Sequence, residues 1–369
     1  MALFCPVKSI AMSATPYFSH KDILLADRDY EKAASYAHLV YVNDRQPGIS
    51  RVRKGKGFYY LSGGGPVREK AALERIRGLV IPPAWTKVWI CPAANGHIQA
   101  TGIDVRGRKQ YRYHALWNSL RRETKFHRLY EFGKNLPVIR GKMEADLRSK
   151  GLTREKVLAT VISLIERTYI RVGSNEYEKL YGSYGLTTMK NKHVTINGDK
   201  MVFSFTGKKG VHHDITLQNK RLARMVGQCR DIPGKELFQY YEEDGSRKSI
   251  DSGMVNHYIK DAAGGLDFTA KDFRTWAGSL HALQEFRMVG EAADAACCKK
   301  NVVAVLDAVS RQLGNTRTVC RKYYVHPGLI RLYEENKLVD YLGETAGNEE
   351  EILMKILASY IRTTPLIGG

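Results

Sequence analysis

The chain has 369 residues, of which 43% are hydrophobic, so it can form a sizeable core and about two domains. This composition excludes a disordered polymer, and no apolar run of about 18 residues marks a membrane-spanning helix. Lysine and arginine number 58 against 38 aspartates and glutamates, a net charge of +20, which favours a polyanionic partner such as nucleic acid over an unrelated basic enzyme.

The first part of the chain predicts a small strand-rich domain. Residues 1–36 carry no recognisable chemistry and are interpreted as an N-terminal extension; they lack the basic and long apolar regions of a signal peptide. Four strands, punctuated by Gly, Pro, Asn and Asp, are predicted at 39–42, 58–61, 88–91 and 97–104, and a short helix at 69–78. The strand-rich domain is therefore assigned to residues 37–114.

Residues 115–369 predict a larger, mostly helical domain that contains a three-stranded β-meander. Thr153 can cap a helix with a wide apolar face, and that helix runs toward Arg171. In the meander, the strongest turn signal is Asn197-Gly198, and Lys208 lies at the tip of the second turn. The predicted strands are 193–196, 200–205 and 211–217, and later helices are predicted at 271–289 and 350–361. The fold class is α+β.

Neither the acidic run near the C-terminus nor the cysteines predict a catalytic or metal-binding role. The run 349–351 is interpreted as a solvated helix start, because carboxylates favour a helix N-terminus. The six cysteines form no CxxC pair and no zinc-like spacing with histidine. Reduced thiols in a cytoplasmic, nucleoid-associated protein are expected.

A basic and aromatic stretch lies between Arg106 and Lys125. It holds seven basic residues against the single acid Glu123, with two tyrosines and a tryptophan among them. Cations of this kind pair with phosphates, while aromatic rings pack against sugars or bases. The stretch therefore predicts a nucleic-acid contact.

Tyr324 lies in a basic segment and is the candidate nucleophile. A phenol is a poor nucleophile at its usual pKa of about 10, but among cations that hold a phosphodiester it can attack phosphorus. Arg171 and Arg274 can neutralise the phosphorane, Lys208 can protonate the leaving 5′ oxygen, and Asn315 can donate an amide hydrogen bond. Taken singly, such residues are usually ordinary surface positions, and local sequence permits Tyr323 as well.

The order and spacing of these blocks resemble the type IB DNA topoisomerases of the compact poxvirus and bacterial kind. The resemblance runs from about residue 39 to about residue 330. The matching segments are the N-domain DNA-contacting strand (101–104 and 107–114), the first arginine block (171–173, Tyr177 and 185–193), the lysine hairpin (205–208), the second arginine block (271–276) and the nucleophile block (321–327). The choice of Tyr324 over Tyr323 depends on this match.

The resemblance implies an enzyme that relaxes supercoiled duplex DNA. Tyr324 would cleave one strand to give a 3′-phosphotyrosine and a free 5′-hydroxyl, the cut strand would rotate, and the hydroxyl would reseal the break. A monomer clamped around double-stranded DNA is implied, with no obligatory protein partner, no membrane, and neither ATP, metal nor another cofactor. The sequence agrees, since it has no GxxxxGK[ST] phosphate loop and no acidic metal-ligand cluster.

The same match predicts the DNA contacts. They are Arg108, Gln110, Tyr111, Tyr113, Lys271 and, more weakly, Tyr177. Strand alternation puts Tyr111 and Tyr113 on one face with Lys109, so a packed tyrosine face remains an alternative to DNA contact.

One departure from the family pattern and two competing functions remain. Asn315 stands where the poxvirus enzymes have histidine. Asparagine keeps a hydrogen bond to the phosphate but cannot carry the charge of an imidazolium. A tyrosine site-specific recombinase is one alternative, although such enzymes usually have histidine where this chain has Lys271. A non-catalytic basic DNA-binding protein is the other. Five histidines that could serve as bases or metal ligands are interpreted as surface or packing residues: His212, His213, His257, His281 and His326.

Overall fold

A computed structural model describes residues 29–343 and 348–363, together with the single positions 20, 24, 25 and 27. The extension predicted over residues 1–36 lies largely outside these described residues. The chain divides into two units. One comprises the described residues up to Arg128 together with those from Ile361 onward, and the other is Leu129–Tyr360.

The first unit is built on a six-stranded antiparallel sheet. Helix α1 (Tyr30–Tyr36) precedes it, and helix α2 (Lys70–Gly78) interrupts it. The strands are β1 (Ile49–Lys54), β2 (Gly57–Ser62), β3 (Gly65–Pro66), β4 (Thr86–Ile90), β5 (Ile98–Ile103) and β6 (Lys109–Tyr113), in the order β3-β2-β1-β4-β5-β6. Ile76 of α2 packs with Ile90 and Ala100 on one face of the sheet. The predicted strand-rich character and the short helix are confirmed.

One predicted strand in this unit does not form, and another strand was not predicted. Residues 39–42 form only a single bridge, Val40 to Gly96, because the facing segment is a turn that offers no longer ladder. Strand β1 was missed, since its sequence is rich in arginine and lysine. The sheet accommodates Arg51 because the guanidinium donates to the carbonyls of Ile81, Pro82 and Trp85.

The second unit is mostly helical, with a core of buried aliphatic and aromatic side chains. Helix α3 (Ala115–Arg148) begins in the first unit and continues into the second. The other helices are α4 (Arg154–Thr168), α5 (Asn175–Tyr181), α6 (Lys220–Arg230), α7 (Ser252–Ala262), α8 (Ala270–Val289), α9 (Ala295–Leu313), α10 (Arg317–Tyr323), α11 (Pro327–Glu334), α12 (Leu338–Gly343) and α13 (Glu349–Thr363). No helix in the described ranges is long and apolar enough to cross a membrane.

The β-meander is confirmed. Strands β7 (Val194–Asn197), β8 (Lys200–Thr206) and β9 (His212–Gln218) pair antiparallel in that order, and a short pair, β10 (Gln239–Tyr241) and β11 (Arg247–Ser249), follows. The first turn differs by one residue from the prediction. Asn197 pairs with Lys200, so the loop is Gly198-Asp199, and Gly198 takes the left-handed conformation that this turn requires.

Helix α4 shows why the helical predictions succeeded. The Thr153 hydroxyl accepts a hydrogen bond from the Lys156 amide and so caps the helix, as predicted. Val157 and Ile162 have no exposed surface, so the apolar face lies in the core. Tyr169 ends the helix in a left-handed conformation, with φ of 56°. That ending turns the chain toward Arg171.

The acidic start of α13 is only partly solvated, which corrects the prediction for residues 349–351. Glu350 accepts two hydrogen bonds from Arg140, at 2.8 and 2.7 Å, and a third from the Trp276 indole at 3.2 Å. Glu349 accepts from Gln284 at 2.6 Å. The start of α13 is therefore tied to α3 and α8 within the second unit.

Candidate active site

Tyr324 lies directly after α10 and is half-buried against the core of the second unit. The guanidinium of Arg274 lies over its ring, 5.4 Å from the centroid. Tyr323, by contrast, is 38% exposed and has Lys322 over its ring. The surroundings of the two phenols therefore distinguish them, and the cation predicted for phosphate contact lies beside Tyr324.

Helix α8 holds the backbone of Tyr324 closely. A Cβ atom at Gly278 would lie 2.7 Å from the Tyr324 carbonyl oxygen, so only glycine allows this approach. The neighbouring hydroxyl of Ser279 donates to the Tyr324 carbonyl at 3.2 Å and accepts from the His326 amide at 3.0 Å. Arg274 and Gly278 are four residues apart, on one face of α8. The same helix thus positions both the tyrosine and its cation.

Arg274 is 4% exposed and bonds only to neutral oxygens. It donates to the Tyr169 carbonyl and, at 2.7 Å, to the Leu313 carbonyl. Its buried Nε has no hydrogen-bond partner among the described residues. Burial lowers the pKa of the guanidinium. The side chain is therefore a buried cation that retains a donor.

Arg171 reaches the same segment from another direction. Its Nη2 donates to the Gly314 carbonyl at 3.1 Å and to Asn315 Oδ1 at 2.6 Å. Burial, and then the neighbouring Arg274, lower its pKa. Within the described chain, no carboxylate lies within ion-pair distance of either arginine, whereas Arg140 pairs with two. The two arginines are therefore positioned for an anion that the described chain does not supply.

Asn315 and Lys208 complete the predicted set. Asn315 Nδ2 donates to the Leu313 carbonyl at 3.2 Å, which leaves its second hydrogen for another acceptor. Lys208 lies at the tip of the β8–β9 hairpin, where residues Lys208–Gly210 form a 3-10 turn. Its exposed ammonium lies 5.8 Å from the centre of the Tyr177 ring and pairs with no carboxylate in the described ranges.

A small cavity lies beside two of the predicted residues, Arg171 and Lys208. Its lining includes Arg171, Lys208, Leu313 and Gly314. The structure therefore brings Arg171 and Lys208 to one cavity and Arg274 to Tyr324, while the segment 313–315 joins the two arginines. Among the described residues, no group of three or more His, Cys, Asp or Glu side chains is placed to hold a metal ion.

Two neighbours of the site were not identified from the sequence. His213 lies opposite Phe205 across the hairpin and lines the same cavity, so the description of it as a surface or packing residue was incomplete. Cross-hairpin pairing around Lys208 is the signal that could have found it. Cys320 is fully buried near both arginines, and burial raises the pKa of its thiol to about 11.

The predicted DNA contacts on β6 form two sets. Arg108 and Gln110 both donate to Asp104 Oδ2, at 2.7 and 3.0 Å, and the Arg108 hydrogen bond is the main cause that lowers the pKa of Asp104 to about 2. The rings of Tyr111 and Tyr113 stack in parallel, 5.7 Å apart, and are 42% and 39% exposed. The tyrosine face is thus open to a partner, which weakens the alternative of a packed face.

The last two predicted contacts belong to the second unit. Tyr177 on α5 is 38% exposed and lies beside Lys208, so it is closer to the catalytic set than the sequence indicated. Lys271 is exposed in the first turn of α8, one turn before Arg274, and none of the described carboxylates pairs with it.

Comparison with known families gives the class of protein. Residues 115–342 match the family described as eukaryotic DNA topoisomerase I, catalytic core, and residues 57–104 match the N-terminal domain of bacterial DNA topoisomerase IB. These matches define a DNA-binding isomerase, a DNA topoisomerase. Within that class the chain belongs to the type IB family, which confirms the resemblance found in the sequence.

Viral relatives agree with this assignment. The DNA topoisomerase 1B of Acanthamoeba polyphaga mimivirus is 32% identical over 325 residues, which cover 85% of this chain and 95% of the relative. The DNA topoisomerase I of Monkeypox virus and the DNA topoisomerase 1B of Vaccinia virus (strain Copenhagen) are each 22% identical over 268 residues, 71% of this chain and 80% of the relative.

Proposed function

We propose that this topoisomerase relaxes supercoiled duplex DNA by cleaving and resealing one strand through a covalent bond between Tyr324 and a 3′-phosphate. The supporting observation is that two arginines, the buried Arg274 and the partly buried Arg171, have no carboxylate partner among the described residues. A buried cation without a counter-charge is costly, and a phosphodiester is the anion that DNA would supply.

In the cleavage step, the Tyr324 phenol oxygen attacks the scissile phosphorus and its proton passes to water. The bond from phosphorus to the 5′ oxygen breaks as the new bond forms. Arg171 and Arg274 donate to the non-bridging oxygens, where a fixed donor typically contributes about 10²–10³-fold in rate. Lys208 gives a proton to the departing 5′ oxygen, and the Asn315 amide adds a neutral hydrogen bond.

Religation reverses these transfers. The 5′-hydroxyl attacks the phosphotyrosine, Lys208 takes back the proton, and Tyr324 leaves as the phenol. One phosphodiester has been exchanged for another, so the cycle requires no ATP. Three side-chain cations supply the positive charge that a metal ion would otherwise provide, so we propose a metal-independent reaction.

The basic stretch between Arg106 and Lys125 is proposed as the main phosphate-contacting surface, with Tyr111 and Tyr113 against the DNA. Both tyrosine rings are accessible for that contact. We propose that a single chain is sufficient for this work, as a monomer that acts on duplex DNA in the cytoplasm. Sedimentation of the purified chain with and without duplex DNA tests the monomer.

The test is relaxation of negatively supercoiled plasmid in EDTA without ATP by the wild type, Tyr324→Phe and Tyr323→Phe. We expect the wild type and Tyr323→Phe to relax the plasmid, because Tyr323 is exposed and has Lys322, not Arg274, over its ring. Tyr324→Phe should be inactive and should form no covalent complex with DNA when the reaction is stopped with detergent.

Each other outcome counts against part of the proposal. Relaxation by Tyr324→Phe but not by Tyr323→Phe would move the nucleophile to Tyr323. A requirement of the wild type for Mg²⁺ or ATP would reject the metal- and ATP-independent cycle. Covalent capture without any change in plasmid topology would instead favour a recombinase.

A further inference from the structure

We propose that His213 is a positioning residue for Lys208, and that its imidazole sets the lysine hairpin against the segment 313–315. The proposal rests on the proposed function, since it assigns a partner to the general acid of that reaction. It starts from the contacts of the ring. His213 is on β9, paired with Phe205 on β8, and its ring stacks on Phe205 with centroids 5.2 Å apart.

Two glycines press against the ring from different parts of the chain. A Cβ atom at Gly207, just before Lys208, would lie 2.6 Å from His213 Cδ2. A Cβ atom at Gly314, just before Asn315, would lie 2.5 Å from His213 Cε1. Real Cβ atoms do not tolerate such distances, so both backbones approach the imidazole as closely as glycine allows. The ring therefore spans the gap between the hairpin and the 313–315 segment.

The two sides of that gap are held with unequal strength. Arg274 and Arg171 bind the Leu313 and Gly314 carbonyls, so the 313–315 segment is fixed without His213. The hairpin tip has fewer restraints, since residues 208–210 are exposed and Lys208 contacts only the Tyr177 ring among the described groups. Removal of the imidazole should therefore displace the hairpin and its lysine, not the arginines.

The charges around the ring are consistent with a spacer and not with a fourth cation. Burial, then Arg171, Arg274 and His212, lower the pKa of His213, while the Asp214 carboxylate acts in the opposite direction. A neutral imidazole can lie beside the cations Arg171 and Lys208 without repelling them. Neither ring nitrogen has a hydrogen-bond partner in the described ranges, so shape and stacking carry the role assigned to it.

The experiment compares single-turnover cleavage of two duplexes, one with an ordinary 5′ oxygen and one with sulfur at that position. Sulfur leaves without protonation, so only defects in the general acid are rescued. We expect His213→Ala to cleave the oxygen substrate about 10²-fold more slowly than the wild type, the lower end of a general-acid contribution. On the sulfur substrate it should return to near the wild-type rate, as Lys208→Ala should. His213→Phe, which keeps the ring, should stay close to the wild type on both substrates.

The matched control is His212→Ala, which removes the neighbouring exposed imidazole on the other strand face and should leave both rates unchanged. An undiminished rate for His213→Ala on oxygen overturns the proposal, and so does an equal loss on oxygen and sulfur. A slow His213→Phe also overturns it, because the nitrogens would then matter more than the ring. If the wild type cleaves neither duplex, or Tyr324→Phe cleaves either, the proposed function itself fails.

Discussion

At the scale of single residues, the site is organised by hydrogen bonds to neutral oxygens. Arg171 and Arg274 donate to backbone carbonyls and to one side-chain amide oxygen, so no described carboxylate compensates either guanidinium charge. Ser279 is equally specific, since its single hydroxyl is shared between the Tyr324 carbonyl and the His326 amide. The Ser279 hydrogen bonds fix the backbone position of Tyr324, while the two arginines determine the charge that its phenol faces.

Loss of the Ser279 hydroxyl should therefore slow the attack by Tyr324. In Ser279→Ala, the buried His326 amide loses its acceptor, at a typical cost of about 1–3 kcal/mol, and the tyrosine backbone loses one restraint. We expect the single-turnover cleavage rate to fall about tenfold, equally on oxygen and sulfur substrates, with the Kd for DNA unchanged. Quench-flow cleavage and a filter-binding titration measure the two quantities.

Ser310→Ala is the control, because in the described part of the chain its hydroxyl bonds only to the Asp307 carbonyl within α9. It should cleave at the wild-type rate. Rescue of Ser279→Ala by sulfur would place Ser279 with the general acid and not with the nucleophile.

At this scale the sequence yields candidate chemical groups but not their contacts. The candidate residues Tyr324, Arg171 and Arg274 follow from what phosphoryl transfer demands and from the order of their blocks. The roles of Gly278 and His213 depend on which backbones approach each other in space. That information lies in the pairing of distant segments, which no local pattern contains.

At the scale of elements, helix α8 and the lysine hairpin determine the geometry of the site. Both were predicted, because a capped apolar helix and an alternating hairpin have strong local signals. Strand β1 was missed because its sequence is rich in arginine and lysine. In the folded chain, the Arg51 guanidinium donates to loop carbonyls. The ties of α13 to α3 and α8 were also missed, because an acidic helix start gives no indication of the distant arginine, tryptophan and glutamine that bind it.

The ion pair at the start of α13 should make stability depend on pH in the acid range. The Arg140 hydrogen bond is the main cause that lowers the pKa of Glu350 below its ordinary value of 4.5. The folded protein therefore binds this proton less readily than the unfolded chain does. The contribution of the pair is complete above about pH 4.5 and is lost as the pH falls through the lower, folded pKa.

Glu350→Gln should thus lower the free energy of unfolding by about 2 kcal/mol at pH 7, the range for hydrogen bonds to charged groups. The difference from the wild type should shrink below pH 4.5. Urea unfolding at a series of pH values measures it. Glu351→Gln, at an exposed neighbouring position, should differ little from the wild type at any pH. A Glu350→Gln difference that is constant down to pH 3 would show that charge plays no part.

At the scale of the whole molecule, the net charge of +20 overstates the cations available to DNA. In the basic stretch, Arg108, Lys109 and Arg121 are already paired with Asp104, Asp44 and Asp27. Arg122 is exposed and, among the described residues, bonds only to the neutral oxygens of Asn118 and Ser119. The sequence predicted the stretch but not its internal pairing. The boundary of the strand-rich domain after His114 remains a proposal, since α3 continues to Arg148 without a break.

Binding to duplex DNA should weaken steeply with salt. Each phosphate contact contributes about 0.9 to the slope of log affinity against log salt concentration. Arg122→Ala should reduce the magnitude of that slope by about 1 unit, because no described carboxylate competes for this guanidinium. Fluorescence anisotropy at several salt concentrations measures the slopes.

Lys337→Ala serves as the charge-matched control, since that lysine pairs with Glu335 in the acidic C-terminal stretch. Its slope should equal that of the wild type. A wild-type affinity insensitive to salt would reject the basic stretch as a phosphate-contacting surface.

The close seating of Tyr324 on α8 also has a mechanical consequence. In the proposed covalent intermediate, tension in the DNA would pull on Tyr324 while the cut strand swivels. Short helix α10 is poorly suited to resist that pull, but the Ser279 hydrogen bond passes the load to α8, whose residues Phe273, Leu283 and Phe286 are buried in the core. Tyr324 would then keep its position under torque, so that the free 5′ end of the cut strand returns to the same position on every turn. In magnetic tweezers, Ser279→Ala should release more turns per cleavage event than the wild type, and the excess should grow with applied force.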